Sequence, residues 1–330
     1  MALYDLNGNK IAMYDFSTYL NYTKVKFIGT AVIGITAGLD NTYFYSGEIA
    51  DWSNVQVFTT NEIGNLIEDV TNNCIFSPAS GETLTSDITS LQIVYNDFSI
   101  SIPIEVETKP ASFNEATWSQ ISKATKTGKI GEFAAVGDIK TITFNDYYYC
   151  RFILASINND ENQYYPKNTI DLVSKDLWSQ TKYSNSTNGG WRDSYLRNYL
   201  NVNIYTNFPD DLKNVIIEKK HLHSCGPTSD VNVSDWYETS DKIWAPTAYE
   251  LGGSNIYSPN ENSTNNKQYF SSIPRLLIMK TGSSYDYYWT SSIGTTSNKA
   301  LRVSKASPAS IAEYTSSGTG MRACFGIRIG

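Results

Sequence analysis

The densest run of side chains suited to recognition chemistry is Tyr285-Asp286-Tyr287-Tyr288-Trp289. Tyrosine and tryptophan give large contact area at low entropic cost and keep a polar handle, so they stack on sugars and on partner surfaces. The segments 293–299 and 304–317 are rich in Ser, Thr and Asn and add adaptable hydrogen-bonding groups. Together they predict a binding face made of Tyr285, Tyr287, Tyr288, Trp289, Ser291, Asn298, Ser304, Ser307 and Tyr314. Within it, Tyr-Trp-Thr-Ser reads as a central strand, which favours core packing for Trp289 and exposure for Tyr285 and Tyr287.

Other constellations are weaker. His221-Leu222-His223 with Cys225 would place two imidazoles on one face of a strand, as metal ligands could be. A fourth ligand is missing from that spacing, so ordinary surface is expected and no metal. The run Asn158-Asn159-Asp160-Glu161-Asn162 lacks the Asp-x-Asp spacing and distal Glu of a calcium loop and reads as a polar turn. Both histidines of the chain lie in that one tripeptide, and no Gly-x-Ser-x-Gly, phosphate loop or His-Glu-x-x-His accompanies them. Asp193, Glu238, Asp241 and Glu250 are the carboxylates a glycan hydrolase would draw on, yet their spacing singles out no pair. The expectation is a binding protein without a cofactor, not an enzyme; a surface or virion glycan hydrolase and a purely structural protein are the alternatives.

Composition sets the frame for these groups. The 330 residues are 41% hydrophobic and only 18% charged, with 24 Tyr against 13 Phe and 4 Met, the balance of a β-rich, contact-making protein. A net charge of −7 argues against nucleic acid and anionic membrane as partners, and no apolar run is long enough to insert in a bilayer. The first residues lack the basic start and apolar core of a secretory signal, so Sec export is not expected. Four scattered cysteines are expected to be free thiols.

Three pieces follow along the chain. Residues 1–23 form a short arm whose Asn7-Gly8 predicts a hairpin turn. Residues 24–107 show period-two patterning, clearest where Phe98, Ile100, Ile102, Ile104 and Val106 alternate with polar residues. Pro103 there belongs at a sheet edge or bulge. Leu91, Ile93 and Tyr95 form the preceding strand, with Asn96-Asp97 as the turn between them. Regular short strands of this kind predict a β-sandwich. Residues 108–330, after a linker at 108–112, mix helix and strand. A first helix is capped by Asn114, buries Trp118 and Ile121 and ends at Gly128. A hairpin turns at Asn145-Asp146. Further helices carry Trp191 to Leu200, start at Pro209-Asp210-Asp211 and bury Leu212, Val215 and Ile216, or cover 246–251. The last strands are placed at 287–293, 300–304 and 324–329.

The middle piece resembles bacterial immunoglobulin-like modules of surface and phage structural proteins. The likeness rests on Tyr45-Ser46-Gly47-Glu48, Asp51, Val55-Gln56-Val57, Pro78-Ala79-Ser80-Gly81-Glu82-Thr83-Leu84-Thr85 and Leu91-Gln92-Ile93-Val94-Tyr95. Such a module implies a spacer or stalk. In the last piece an ordered series runs from Thr117-Trp118-Ser119-Gln120 through Val136-Gly137-Asp138 and Gly189-Gly190-Trp191-Arg192-Asp193-Ser194-Tyr195-Leu196-Arg197. It continues through Leu212-Lys213-Asn214-Val215-Ile216, Trp244-Ala245-Pro246-Thr247-Ala248-Tyr249-Glu250-Leu251 and Tyr288-Trp289-Thr290-Ser291-Ser292 to Gly320-Met321-Arg322-Ala323-Cys324-Phe325-Gly326. This series resembles an uncharacterised domain common in bacteriophages and gut bacteria. Its later motifs are similar to the C-type-lectin fold of the formylglycine-generating-enzyme type. Many members read Arg-Pro-Ala where this chain has Arg322-Ala323-Cys324. The enzymes of that fold use reactive cysteines near its end, but the apolar setting of Cys324 predicts a buried, inert thiol.

The resemblance implies an α+β C-type-lectin-like domain after the immunoglobulin-like β-sandwich, and a phage tail receptor-binding or adhesion protein. Diversification of the C-terminus by a retroelement, as in the variable proteins of that fold, stays open. The expected partners are a host cell-surface glycan or protein receptor and other virion tail proteins, with a homo-oligomer left open. The expected location is the virion's tail tip, after synthesis in the host cytoplasm, or alternatively a bacterial cell surface.

Overall fold

Alternation of apolar and polar residues dictates the architecture from Phe98 onward. In the computed structural model Phe98–Pro103 is a strand, and the side chains from 98 to 106 alternate between covered and exposed. It pairs antiparallel with Ser90–Tyr95, setting Leu91 against Ile102 and Ile93 against Ile100. Asn96 takes the left-handed conformation that so tight a turn requires, at φ +50°. Pro103 ends an edge strand. With no N–H to donate there, the ladder stops, and the chain re-enters another sheet as Glu105–Glu107, parallel to Tyr43–Tyr45.

The structure describes residues 32–61, 64–144, 148–159, 166–178, 180–224, 236–251, 287–294, 298–303, 311–317 and 321–330. To these it adds the strands at 2–4, 10–13, 280–281 and 284–285. The chain divides into two compact units, Met1–Lys109 and Pro110–Gly330, so the division falls inside the segment read as a linker.

In the first unit, Ala2–Tyr4 and Lys10–Met13 pair antiparallel on either side of Asn7-Gly8. Gly34–Gly38, Gln56–Thr60 and Leu66–Asp69 form one three-stranded sheet. Ile75–Ser77, Ser90–Tyr95 and Phe98–Pro103 form another. Val57, Leu91, Ile93, Ile104, Val106, Leu84 and Trp52 share one core, with the Trp52 indole N–H donating to the Pro78 carbonyl at 2.7 Å.

The second unit is mostly strand with short helices. Its first helix, Trp118–Lys126, is capped by Thr117 and not by Asn114. The Thr117 hydroxyl accepts from the Gln120 amide, and the Gln120 side chain accepts from the Thr117 amide. Asn114 is occupied elsewhere, accepting from the Thr141 amide at 2.8 Å. Trp118, Ile121 and Ala124 are buried, and Gly128 at φ +73° ends the helix as expected.

Two larger sheets follow in this unit, beside two-stranded ladders of Lys219–Ser224 with Trp236–Asp241 and of Lys280–Thr281 with Ser284–Tyr285. In the six-stranded one the path runs Ile139–Phe144, Tyr148–Asn158, Thr169–Ser174, Gly326–Ile329, Ile216–Ile217, with Ile243–Trp244 also on Gly326–Ile329. Gly326 lets the Trp244 ring lie on the strand, since a Cβ there would sit 2.6 Å from it. The five-stranded sheet runs Gln180–Thr181, Met321–Ala323, Tyr288–Ile293, Lys299–Val303, Ile311–Thr315.

Boundaries differ from the sequence reading where strands compete with helix. The helix after Pro209 covers only Asp210–Lys213, because Ile216 is recruited to the large sheet. At 246–251 a turn stands in place of a helix, with one bond from the Leu251 amide to the Thr247 carbonyl. Trp191 lies in the turn before its helix. That helix runs from Tyr195–Asn198 into the wider winding of Tyr199–Ile204.

Candidate functional site

The aromatic run that led the sequence reading is divided by the fold. Tyr288–Ile293 is the middle strand of a sheet covered on both faces, and all six of its residues are buried. Tyr288, Trp289 and Ser291 are therefore interior, a correction to their placement on a binding face. The Trp289 indole donates to the Thr181 carbonyl at 3.0 Å, and the Ser291 carbonyl accepts from the Tyr183 hydroxyl at 2.9 Å. Tyr287 is half-buried, with the Arg302 guanidinium 4.1 Å over its ring. Asn298 is exposed and left-handed at φ +61°. Tyr285 pairs with Lys280 in a two-stranded ladder and Tyr314 with Ala300. Ser304 and Ser307 lie outside the described residues.

A different set of side chains converges on an open depression of about 490 Å³ lined by the 192–205 segment and by Glu218, Ser240, Asp241 and Lys242. Its construction begins at Gly189 and Gly190, both at positive φ. A side chain at Gly189 would collide with the Asp193 carboxylate, so the turn demands glycine there. The turn buries Trp191, whose indole N–H donates to Asp241 Oδ2 at 2.8 Å. Ser194 then caps the helix by accepting from the Arg197 amide at 3.0 Å.

Asp241 is the hub. It is buried and accepts from Thr239 Oγ1 at 3.0 Å and from Arg197 Nε at 2.7 Å, besides Trp191. Arg197 Nη1 also donates to the Arg192 carbonyl at 3.1 Å. Asn201 exchanges two bonds with the backbone of Ile243, locking helix to strand. A buried carboxylate with this many donors is fully satisfied and holds its partners in fixed positions.

The open side carries cations on aromatic rings. The Arg192 guanidinium lies 3.9 Å over the ring of Tyr237, and Lys242 Nζ lies 4.7 Å over Tyr205 while donating to its hydroxyl at 3.2 Å. Arg192 also grips Asp193 through two bonds, at 2.8 and 2.7 Å. Those bonds hold the Asp193 carboxyl below the usual carboxylate range and raise the guanidinium further. Next to them Tyr195 and Tyr199 stack at 6.1 Å, with Lys182 over Tyr195.

The carboxylates weighed for hydrolysis fall in separate places. Asp193 and Asp241 line the depression, each engaged by an arginine. Glu238 faces Lys220 at 3.4 Å. Glu250 is enclosed, receiving Lys219 Nζ at 2.5 Å and the Thr247 amide at 2.8 Å. Beside it Arg328 grips Asp171 through bonds of 2.6 and 2.9 Å, with no exposure on either partner. Burial pushes the Cys324 thiol up to about 12 and Cys150 well above its ordinary value. His221 and His223 sit on the strand Lys219–Ser224 opposite Thr239 and Tyr237, and Cys225 lies outside the described residues. Among the described residues no cluster of His, Cys, Asp and Glu could hold a metal, and no helix is long and apolar enough to cross a membrane.

Sequence reasoning missed Tyr205, Tyr237 and Asn201 as surface builders. It did quote the motif Gly189 to Arg197 that shapes the turn, but Asp241, which organises it, stands 50 residues from Trp191.

Comparison with known proteins adds one finding. No curated protein and no solved structure matches the chain. Residues 167–329 match the family model described as Domain of unknown function (DUF6273), a stretch that includes every residue lining the depression.

Proposed function

We propose that the protein is a recognition protein, a phage tail receptor-binding or adhesion protein, that meets its host with the C-terminal unit. In this reading residues 24–107 are an immunoglobulin-like β-sandwich that acts as a spacer. Residues 108–330 are a C-type-lectin-like domain that displays the binding surface. The observation that carries the reading is the open depression, where rigidly held polar side chains surround the half-buried Tyr205 and the lining Arg192 lies over the exposed Tyr237. Exposed tyrosine and arginine anchors, fixed before contact, are what dominates the energetics of recognition surfaces.

A hydrolase is less well served by the same surface. Glycoside hydrolysis needs a carboxyl whose proton is retained near neutrality, which burial or a like charge supplies. Asp193 is pushed the opposite way by Arg192, and Asp241 is spent on Arg197, Trp191 and Thr239. Glu250 is closed off from any polymer by its burial against Lys219.

Labelled full-length protein mixed with a panel of bacterial cells tests the proposal. Saturable binding to some strains, blocked by unlabelled protein, is the expected result. Uniform failure to bind would overturn it, and so would steady release of reducing ends from host polysaccharide.

A further inference from the structure

The lining of the depression also restricts the class of ligand, if the recognition reading above holds. Three cations (Arg192, Arg197, Lys242) and three carboxylates (Asp193, Glu218, Asp241) share the surface, and most are paired within it. A phosphate or acidic peptide would meet Asp193 beside Arg192 and Asp241 beside Arg197, so each attraction is met by a repulsion at similar distance. A basic ligand meets the mirror of that problem. Apolar ligands fare no better, because small-molecule pockets for them are mostly apolar and enclosed, whereas here amides, hydroxyls and ion pairs make up the floor and the depression is open.

What remains is a neutral ligand with many hydroxyls. Planar ion pairs such as Arg192–Asp193 present donors and acceptors side by side, the pattern that adjacent hydroxyl groups match. Sugars also have apolar C–H faces that need a ring to lie on. Tyr237 is 39% exposed on one side of Arg192, and Tyr205 lines the depression beside Lys242. On the strand Trp236–Asp241, Tyr237 and the hub Asp241 share a face four residues apart, roughly 13 Å at strand spacing. That is the reach of a short oligosaccharide, not of a single ring.

We infer that this depression is a subsite for a neutral oligosaccharide, stacked on Tyr205 and on Tyr237 beside it and hydrogen-bonded by the Arg192–Asp193 pair and by Arg197 without a metal ion. The arrangement explains why the cations sit on aromatic rings: the stack fixes both in the unbound state, so little order is lost on binding.

Titration calorimetry on the full chain, with neutral, sialylated and phosphorylated oligosaccharides and an acidic peptide as probes, tests this directly. Binding is expected for a neutral oligosaccharide, unchanged by EDTA, falling at least tenfold in Tyr237→Ala and retained in Tyr237→Phe. Tyr205→Ala and Tyr205→Phe are expected to follow the same split. Melting curves for each variant separate lost affinity from lost fold. Preference for a charged probe, loss of binding with EDTA, or neutral-sugar binding indifferent to both tyrosines would overturn the inference. If cells are bound saturably but no oligosaccharide is, recognition stands and the oligosaccharide assignment falls. If neither is bound, the recognition reading falls with it.

Discussion

Two groups of aromatic side chains in the C-terminal unit have opposite fates. Tyr288 and Trp289 are adjacent in sequence and fully enclosed, while Tyr205 and Tyr237 are 32 positions apart, the first lining the open depression and the second lying under its Arg192. Density along the chain is a poor guide to density on a surface. Neighbours on a strand point to opposite faces, and in a sheet covered on both sides every one of them is interior. Tyr205 and Tyr237 each carry a cation on the ring, but that alone does not decide exposure, since Trp118 under Lys140 and Trp244 under Lys219 are buried.

The largest expected effect tests the enclosed member of that comparison. Trp289→Ala removes an indole from the middle strand together with its bond to Thr181, and should cost about 3–5 kcal/mol of stability. Chemical denaturation with matched slopes measures it. A cost near zero would put Trp289 back on a surface.

Burial also sets how a charge behaves, and Lys140 gives the next test. Its ammonium is almost wholly covered, donating to the carbonyls of Asn114 and Ala116 beside the Trp118 ring. Loss of hydration lowers it to about 8, against a weaker opposing pull from Asp211. Between that value and the ordinary lysine range near 10.4, the unfolded chain holds more protons than the folded one, so stability rises with pH there. Relative to Lys140→Met, the wild type should gain on the order of 2–3 kcal/mol from pH 8 to pH 10.5, read from denaturation midpoints. A flat difference would mean that the amine is hydrated.

Much of the strand pattern was legible in the sequence, because one-residue alternation has a direct physical cause. The pairing of 90–95 with 98–103 follows from it, whereas the edge position of Pro103 follows from its missing N–H and the buried face of the first helix from the three-residue spacing of Trp118, Ile121 and Ala124. The helix cap was not settled by residue type alone. Asn114 and Thr117 are both good caps, and only Gln120 three residues after Thr117 decides between them. The depression was illegible for a different reason. Asp241, Asn201 and Tyr237 act through contacts across long sequence separations, and nothing local marks a residue whose partner comes from another strand.

Asp241→Asn probes those long-range contacts. The carboxamide keeps the shape but loses the charge that Arg197 and Trp191 share, and it turns a donor toward donors. A loss of about 2 kcal/mol is expected, the worth of a charge-assisted hydrogen bond. If the hub positions the open surface, affinity for a ligand should fall further than the loss of stability explains, even at temperatures where the variant is fully folded. Equal affinity would reduce Asp241 to a purely structural role.

The smallest change in stability should give the sharpest comparison of surfaces. Tyr237→Ala removes an exposed ring whose main contact is Arg192, and a surface truncation of this sort costs about 0.5 kcal/mol. Tyr287→Ala, on the face that the sequence favoured, removes a half-buried ring under Arg302 and should cost about 1 kcal/mol. Both variants should therefore melt within a few degrees of the parent. Adsorption to the cells that bind the wild type then tells the two surfaces apart. Loss in Tyr237→Ala with retention in Tyr287→Ala assigns recognition to the depression. The reverse assigns it to the face around Tyr287 and Asn298, and would mean that the ordered polar floor beneath Arg192 and Arg197 serves stability alone.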